Sequence, residues 1–273
     1  MLEYEFMRTA FMAGGIVAVV AGAVGYFLVL RQLTFAGHAL SHVGFAGATG
    51  SVLLGVGPLW GLLAFTLAAA VAMGLLGDRL RGRDVAVGVV LSLALGLGVL
   101  FLYLYTTHAT AATAILFGNV LGISASALRD LLGLGAVSLL ALAAISRPLL
   151  FATLAPDQAE AKGVSLRLIS VLFLAIVAVA VAEAAQAVGV LLIFALMVGP
   201  AASSLRLTSH IGAGVALSVA FALFDSWAGI ALAYVTDWPP SFWIVCLSCA
   251  VYFLSLLKRA GRARIAPRAH GHH

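Results

Sequence analysis

Two histidines four residues apart, His38 and His42, are the first side chains in this sequence whose type and spacing could do chemistry. They lie in RQLTFAGHALSHVGFAGATG, residues 31–50, between long apolar runs. On a helix a four-residue step turns by about 400°, so the two imidazoles point about 40° apart, one above the other. Neutral imidazoles stacked on one face bind a transition metal transiently, zinc or manganese especially. Two ligands are too few for a closed structural zinc site, which suits a passage from which a metal must be released. The plainer reading is that each histidine hydrogen-bonds a neighbouring helix. Gly37, Ser41, Gly44, Ala48 and Ser51 form an adjoining small face that lets another helix come close. With Arg31 at the inner interface, a rise of about 1.5 Å per residue puts His38 roughly 10 Å deep and His42 roughly 16 Å deep. His42 is then near the middle of a hydrocarbon core about 30 Å thick.

Glu183 and Asp225 are acids inside apolar runs. A carboxyl group at membrane depth is costly and marks a functional site by default. Either it attracts a cation entering from outside, or it pairs with a polar neighbour such as Gln186. Pro200 cannot donate to its helix and clashes with the preceding turn. A passive kink is the expected reading, against a functional helix break beside a pathway, and the small Ala201, Ala202, Ser203 and Ser204 that follow are able to re-satisfy freed backbone groups. Cys246 and Cys249 form a C-x-x-C inside an apolar run without a second ligand pair, and packing is their expected role. Neither lysine, Lys162 nor Lys258, follows a glycine in a G-x-x-x-x-G-K-[ST] pattern, so the P-loop is absent. No H-E-x-x-H occurs either. The chain is not expected to be an enzyme.

These residues have to be positioned by membrane helices. The chain has 273 residues, 63% hydrophobic and 9% charged, against about 25% charged in a soluble domain. Its mean hydropathy is +1.15. Apolar runs near the roughly 20 residues that cross a bilayer recur from end to end, and they are continuous, unlike the alternating strands of a barrel. The expected fold is all-α: a polytopic bundle of about nine spans near 7–30, 35–55, 59–77, 85–105, 128–151, 168–188, 189–205, 211–235 and 242–257. Residues 106–127 read as a loop or a partial re-entry. The formal charge of +5 comes from arginines scattered between spans, so nucleic acid is not an expected partner. With the N-terminus outside, the inner segments hold Arg31, the arginines of 78–84, Arg147, Lys162, Arg167, Arg206 and the basic tail, as the positive-inside rule requires. Residues 1–257 are expected to form one transmembrane domain in a plasma or inner membrane, with 258–273 a basic, histidine-containing cytoplasmic tail.

Within the inner segment 152–167, residues 155–163 read APDQAEAKG: a Pro-Asp start and a glycine stop, the punctuation of a short helix.

The run RQLTFAGHALSHVGFAG resembles the signature of metal-type ABC transporter permeases, the zinc and manganese uptake group, close to R-x-x-S-x-x-G-D-A-L-S-H-A-x-x-P-G. Leu116-Phe117-Gly118-Asn119 is similar to that family's L-F-G-D block. Residues 189–202, GVLLIFALMVGPAA, resemble G-x-L-L-V…P-A-A-x-A, and Asp237-Trp238-Pro239-Pro240-Ser241 resembles the D-x-P-x-G turn before the last span. His38 and Asn119 stand where the family usually has aspartate. Histidine suits zinc and carboxylate suits manganese, so His38 tilts the expected cargo toward zinc. The resemblance implies a type II, cobalamin-importer-like permease that transports Zn2+ or Mn2+ as substrate, with no tightly bound cofactor. It implies a second permease copy, two ABC ATPase subunits and an extracytoplasmic metal-binding protein. It also implies that Asp157, Gln158, Ala159, Glu160, Ala161, Lys162 and Gly163 form the coupling helix that docks on the ATPase. His38, His42, Glu183 and Asp225 are the candidate metal pathway. The alternative is a gradient-driven carrier that uses the same acids and histidines as a relay.

Overall fold

A computed structural model describes residues 4–76, 83–104, 118 and 120–265. Helix α1 covers Glu5–Leu30, α2 Thr34–Leu53, α3 Pro58–Leu76 and α4 Arg83–Leu104. A single 3-10 turn, Val120–Gly122, precedes α5, Ala125–Leu154. The short α6, Pro156–Ala161, is followed by α7, Leu166–Val188, α8, Val190–Leu207, α9, Ile211–Thr236, and α10, Pro240–Ile265. No strand occurs among the described residues. The expected all-α membrane bundle is what forms. Seven of these helices are long and apolar enough to cross a membrane, and Leu192–Leu207 is a shorter apolar helix. The remaining long helix, α2, falls outside that set because histidine, glycine and serine dilute its apolar content.

Close approaches between backbones fix the direction of each helix. Gly14 of α1 meets Ser226 and Ile230 of α9, while Gly22 meets Val219, so α1 and α9 are antiparallel. Gly74 of α3 lies on Val171 of α7, and the Thr66 hydroxyl of α3 reaches the Ala178 carbonyl at 3.3 Å, again antiparallel. Gly50 packs on Phe101 and Gly98 on Ala46, so α2 and α4 run parallel. The long helices therefore alternate in direction, and the end of α4 and the start of α5 lie on the same side of the bundle. Gly118, at φ +73°, seats directly on the Val188–Gly189 backbone between α7 and α8. A residue with a Cβ fits neither that conformation nor that space. The expected loop over 106–127 falls largely on residues outside those described.

Two helices are central. The membrane-length windows of α1 and α7 are 72% and 67% buried, against 17% for α4 and α10. α1 packs on α5, α7, α8 and α9, and α7 packs on α1, α2, α3, α5 and α8. The outer helices leave large apolar side chains exposed, as with Val99 and Tyr103 of α4 and Leu254 and Leu257 of α10, which lipid covers. At one end of the bundle, Arg31 donates to Ser170 at 3.0 Å and stacks over Phe173, while Arg167 donates to the Leu75 carbonyl at 2.8 Å. Arg206 donates to Tyr252 at 3.0 Å. The short α6 is at this same end.

Candidate metal pathway and coupling segment

α2 is the helix that presents the histidines, and its surroundings explain how it stays in the bundle. α3, α4, α7 and α8 all pack on it. Gly47 and Gly61 bring α2 and α3 into backbone contact, with each glycine's carbonyl filling the space a Cβ would need on the other. Thr49 and Ser51 turn their hydroxyls back onto carbonyls of their own helix at 3.0 and 2.9 Å, so these groups are satisfied without water. The imidazoles of His38 and His42 meet edge to face, with ring centroids 4.6 Å apart and planes at 83°. Phe194 of α8 meets the His38 ring edge-on, with centroids 5.0 Å apart. Both histidines are half-buried.

The other predicted pathway residues stand elsewhere. Glu183, on α7, is fully buried, and neither of its oxygens has a hydrogen-bond partner among the described residues. One oxygen points at Gly135 of α5, 2.9 Å from where a Cβ would stand, with Val20 and Ile16 of α1 lining the same spot. Asp225 is just past the middle of α9, fully buried beside Ser248 of α10. The Ser248 hydroxyl donates to the Ala195 carbonyl of α8 at 3.0 Å. The structure thus pairs His38 with His42 and leaves Glu183 and Asp225 each in its own interhelical space. Among the described residues no three histidines, cysteines or acids cluster as metal ligands.

Pro200 does not break its helix. α8 continues through it from Val190 to Leu207, and the break falls eleven residues earlier, at Gly189, where φ is +83°. The carbonyls around the proline are taken up by hydroxyls: Ser203 donates to Gly199 at 2.8 Å and Ser204 to Ala201 at 2.9 Å. Ser248 of α10 adds a bond to the Ala195 carbonyl from outside the helix.

The 155–163 segment folds as read. Pro156 opens α6 at a position where a missing N–H is harmless. Gly163, at φ +82°, ends it, with its N–H on the Glu160 carbonyl at 2.9 Å and the Val164 N–H on Ala159 at 3.0 Å. Ala159 is fully buried and anchors the turn to the bundle. Asp157, Gln158, Glu160, Ala161, Lys162 and Gly163 are exposed. Lys162 holds its ammonium 5.6 Å above the Phe151 ring.

The profile of the ABC 3 transport family matches residues 3–259, nearly the whole chain. The chain belongs to that family. It is a multi-pass plasma-membrane permease of an ABC transport system, and it is not itself an enzyme. The permease is 28% identical over 256 residues to "Manganese transport system membrane protein MntC" of Halalkalibacterium halodurans, covering 93% of this chain and 88% of the relative. It is 29% identical over 253 residues to "Manganese import system permease protein ScaB" of Streptococcus parasanguinis, covering 92% and 90%. Its fold matches a solved structure of PsaBC from Streptococcus pneumoniae in complex with Fab, with a TM-score of 0.84 at 28% identity over 93% of this chain and 92% of that one. An inward-facing putative metal-chelate type ABC transporter matches with a TM-score of 0.70 at 17% identity, a likeness of fold.

Three features of the permease's interior escape sequence reasoning. Phe194 meets the His38 ring, yet in sequence it is one more aromatic in an apolar run. Ser138 and Ser226 are buried hydroxyls without a hydrogen-bond partner among the described residues. Their only sequence signal is a small polar residue inside a span, which membrane helices also use for plain packing. Of the L-F-G-D-like block, Leu116, Phe117 and Asn119 lie outside the described residues, as does the tail from 266 onward. Lys258 to Ile265, expected in the tail, continue α10 as helix.

Proposed function

We propose that this permease is the membrane path of an ATP-driven importer for a divalent transition metal, with His38 and His42 as its transit ligands. One observation carries the reading: two half-buried imidazoles in edge contact, 4.6 Å apart, on a helix surrounded by four others. Imidazoles so placed offer a passing cation nitrogen ligands at membrane depth without enough of them to trap it. Glu183 and Asp225 serve as separate polar stations off that helix. Manganese is the favoured cargo, because the curated relatives MntC and ScaB are named for manganese transport. Zinc is the second reading, supported by His38 where the resemblance puts an aspartate.

The energy comes from a separate ATPase. A second copy of this chain completes the translocation unit, and an extracytoplasmic metal-binding protein delivers the ion. The exposed face of α6, from Asp157 to Gly163 with Ala159 holding it from beneath, transmits ATPase closure to the helices. The basic end of the bundle, with Arg31, Arg167 and Arg206, faces the cytoplasm.

The test is uptake of 54Mn and 65Zn by the complete transporter. His42→Ala is expected to lower uptake of the true cargo by roughly 10- to 100-fold, the range for losing a metal-positioning imidazole. His38→Asp is expected to shift preference from zinc toward manganese. Uptake and selectivity unchanged in both variants would remove the pair from the pathway.

A further inference from the structure

At the end of the bundle opposite Arg31 and α6, a cavity of about 710 Å³ opens between the start of α1, the Val120–Gly122 turn and the α9–α10 connection. Its walls include Phe6, Tyr234, Asp237 and Trp238, and among the described residues no lysine or arginine lines it. The rings are partly exposed, at 46% for Phe6, 40% for Tyr234 and 55% for Trp238.

The wall is held in place by its own bonds. Trp238 stacks on Trp243 at 5.7 Å with planes 18° apart, and meets Phe242 edge-on at 5.4 Å. Trp243 in turn donates its indole N–H to Thr236 at 2.9 Å, and Thr236 donates to the Leu232 carbonyl at 2.7 Å. Asp237 adopts the left-handed conformation, φ +55°, as the last cap of α9. Aspartate is among the few residues other than glycine that adopt this conformation routinely. No hydrogen bond or ion pair engages its carboxylate among the described residues.

A carboxylate that shares a cavity with exposed aromatic rings, with no positive side chain among the described lining residues, is complementary to an organic cation. A guanidinium suits it better than an ammonium: it is planar enough to stack on Trp238 and forked enough to bond both oxygens of Asp237. Exposed aromatics grouped from two distant chain segments are also the residues that carry most energy in protein interfaces. We propose that this cavity receives an arginine side chain on the extracytoplasmic protein that hands the metal to the permease. This rests on the importer reading, which supplies both that partner and the outward placement of this end.

The experiment titrates the system's own metal-loaded binding protein against the full transporter in proteoliposomes, reading ATPase activity and metal uptake. Asp237→Asn and Trp238→Ala are each expected to raise the half-saturating concentration of binding protein by about tenfold, with the maximal rate and the ATPase activity without binding protein unchanged. An unchanged half-saturation overturns the proposal; paired with a lower melting temperature for Trp238→Ala, it identifies the rings as an aromatic belt at the lipid interface. A lower maximal rate at constant half-saturation overturns it equally. If Trp238→Ala does not fold, the isosteric Asp237→Asn decides alone. Failure of the importer reading shows separately, as a wild-type transporter that the binding protein does not stimulate.

Discussion

Glu183 and Gly135 form one unit. The carboxyl group occupies the space that any side chain at 135 would take, so the glycine is required by the acid and not by its own backbone. Gly135→Ala is expected to destabilise the permease by about 1–3 kcal/mol, the range for overpacking a close-fitted interior. Glu183→Ala is expected to remove most of that penalty, so the two changes are non-additive in a double-mutant cycle read by thermal unfolding in detergent. Additive effects would mean that the carboxyl has room to move aside. The histidine pair is the contrasting case, since its spacing alone put both rings on one face and the structure has them in contact. What the spacing did not contain is Phe194, which comes from a helix about 150 residues further along the chain and is indistinguishable there from its apolar neighbours.

At the scale of elements, the sequence is most legible where polar residues interrupt apolar ones. Pro156 and Gly163 bracket α6, and the 31–50 run became α2 with nearly the bounds read for it. Pro200 is a less legible signal, since a proline inside an apolar run is compatible with a break, a kink or a continuous helix. A proline leaves the carbonyl four residues before it without its N–H donor, here that of Leu196, yet α8 continues as helix through it. The bonds of Ser203 and Ser204 to carbonyls four and three residues back are local and legible in the sequence, whereas Ser248 comes from another helix and is not. Gly163 offers a clean test of α6, because a Cβ there meets no atom within 4 Å, which leaves only the backbone conformation to resist it. Gly163→Ala is expected to weaken the folded turn by about 1 kcal/mol. That shifts its population roughly fivefold, and transport per ATP hydrolysed falls while ATP binding does not. Measuring uptake against phosphate release in the same vesicles checks the ratio; a constant ratio would separate α6 from coupling.

For the whole molecule, the alternating directions of the long helices and the basic cluster at one end were both legible from apolar run length and arginine placement. The identity of the central helices was not, because α1 and α4 are both strongly apolar and only packing distinguishes the one inside from the one facing lipid. The chain carries no P-loop, so the purified permease alone in liposomes, given a proton or sodium gradient, is expected to move neither manganese nor zinc. Gradient-driven uptake by the chain alone would return the relay reading of Glu183, Asp225 and the histidines. The makeup of α2 also bears on how the protein is made. A segment that is not apolar enough to count as a span by itself has little free energy of its own for leaving the insertion machinery sideways. It owes its place to helices synthesised later, α3 and α4 first and then α7 and α8. During biogenesis the histidine-bearing helix is therefore expected to settle in the membrane only once its hosts arrive, and a chain truncated before α3 is expected to leave it uninserted.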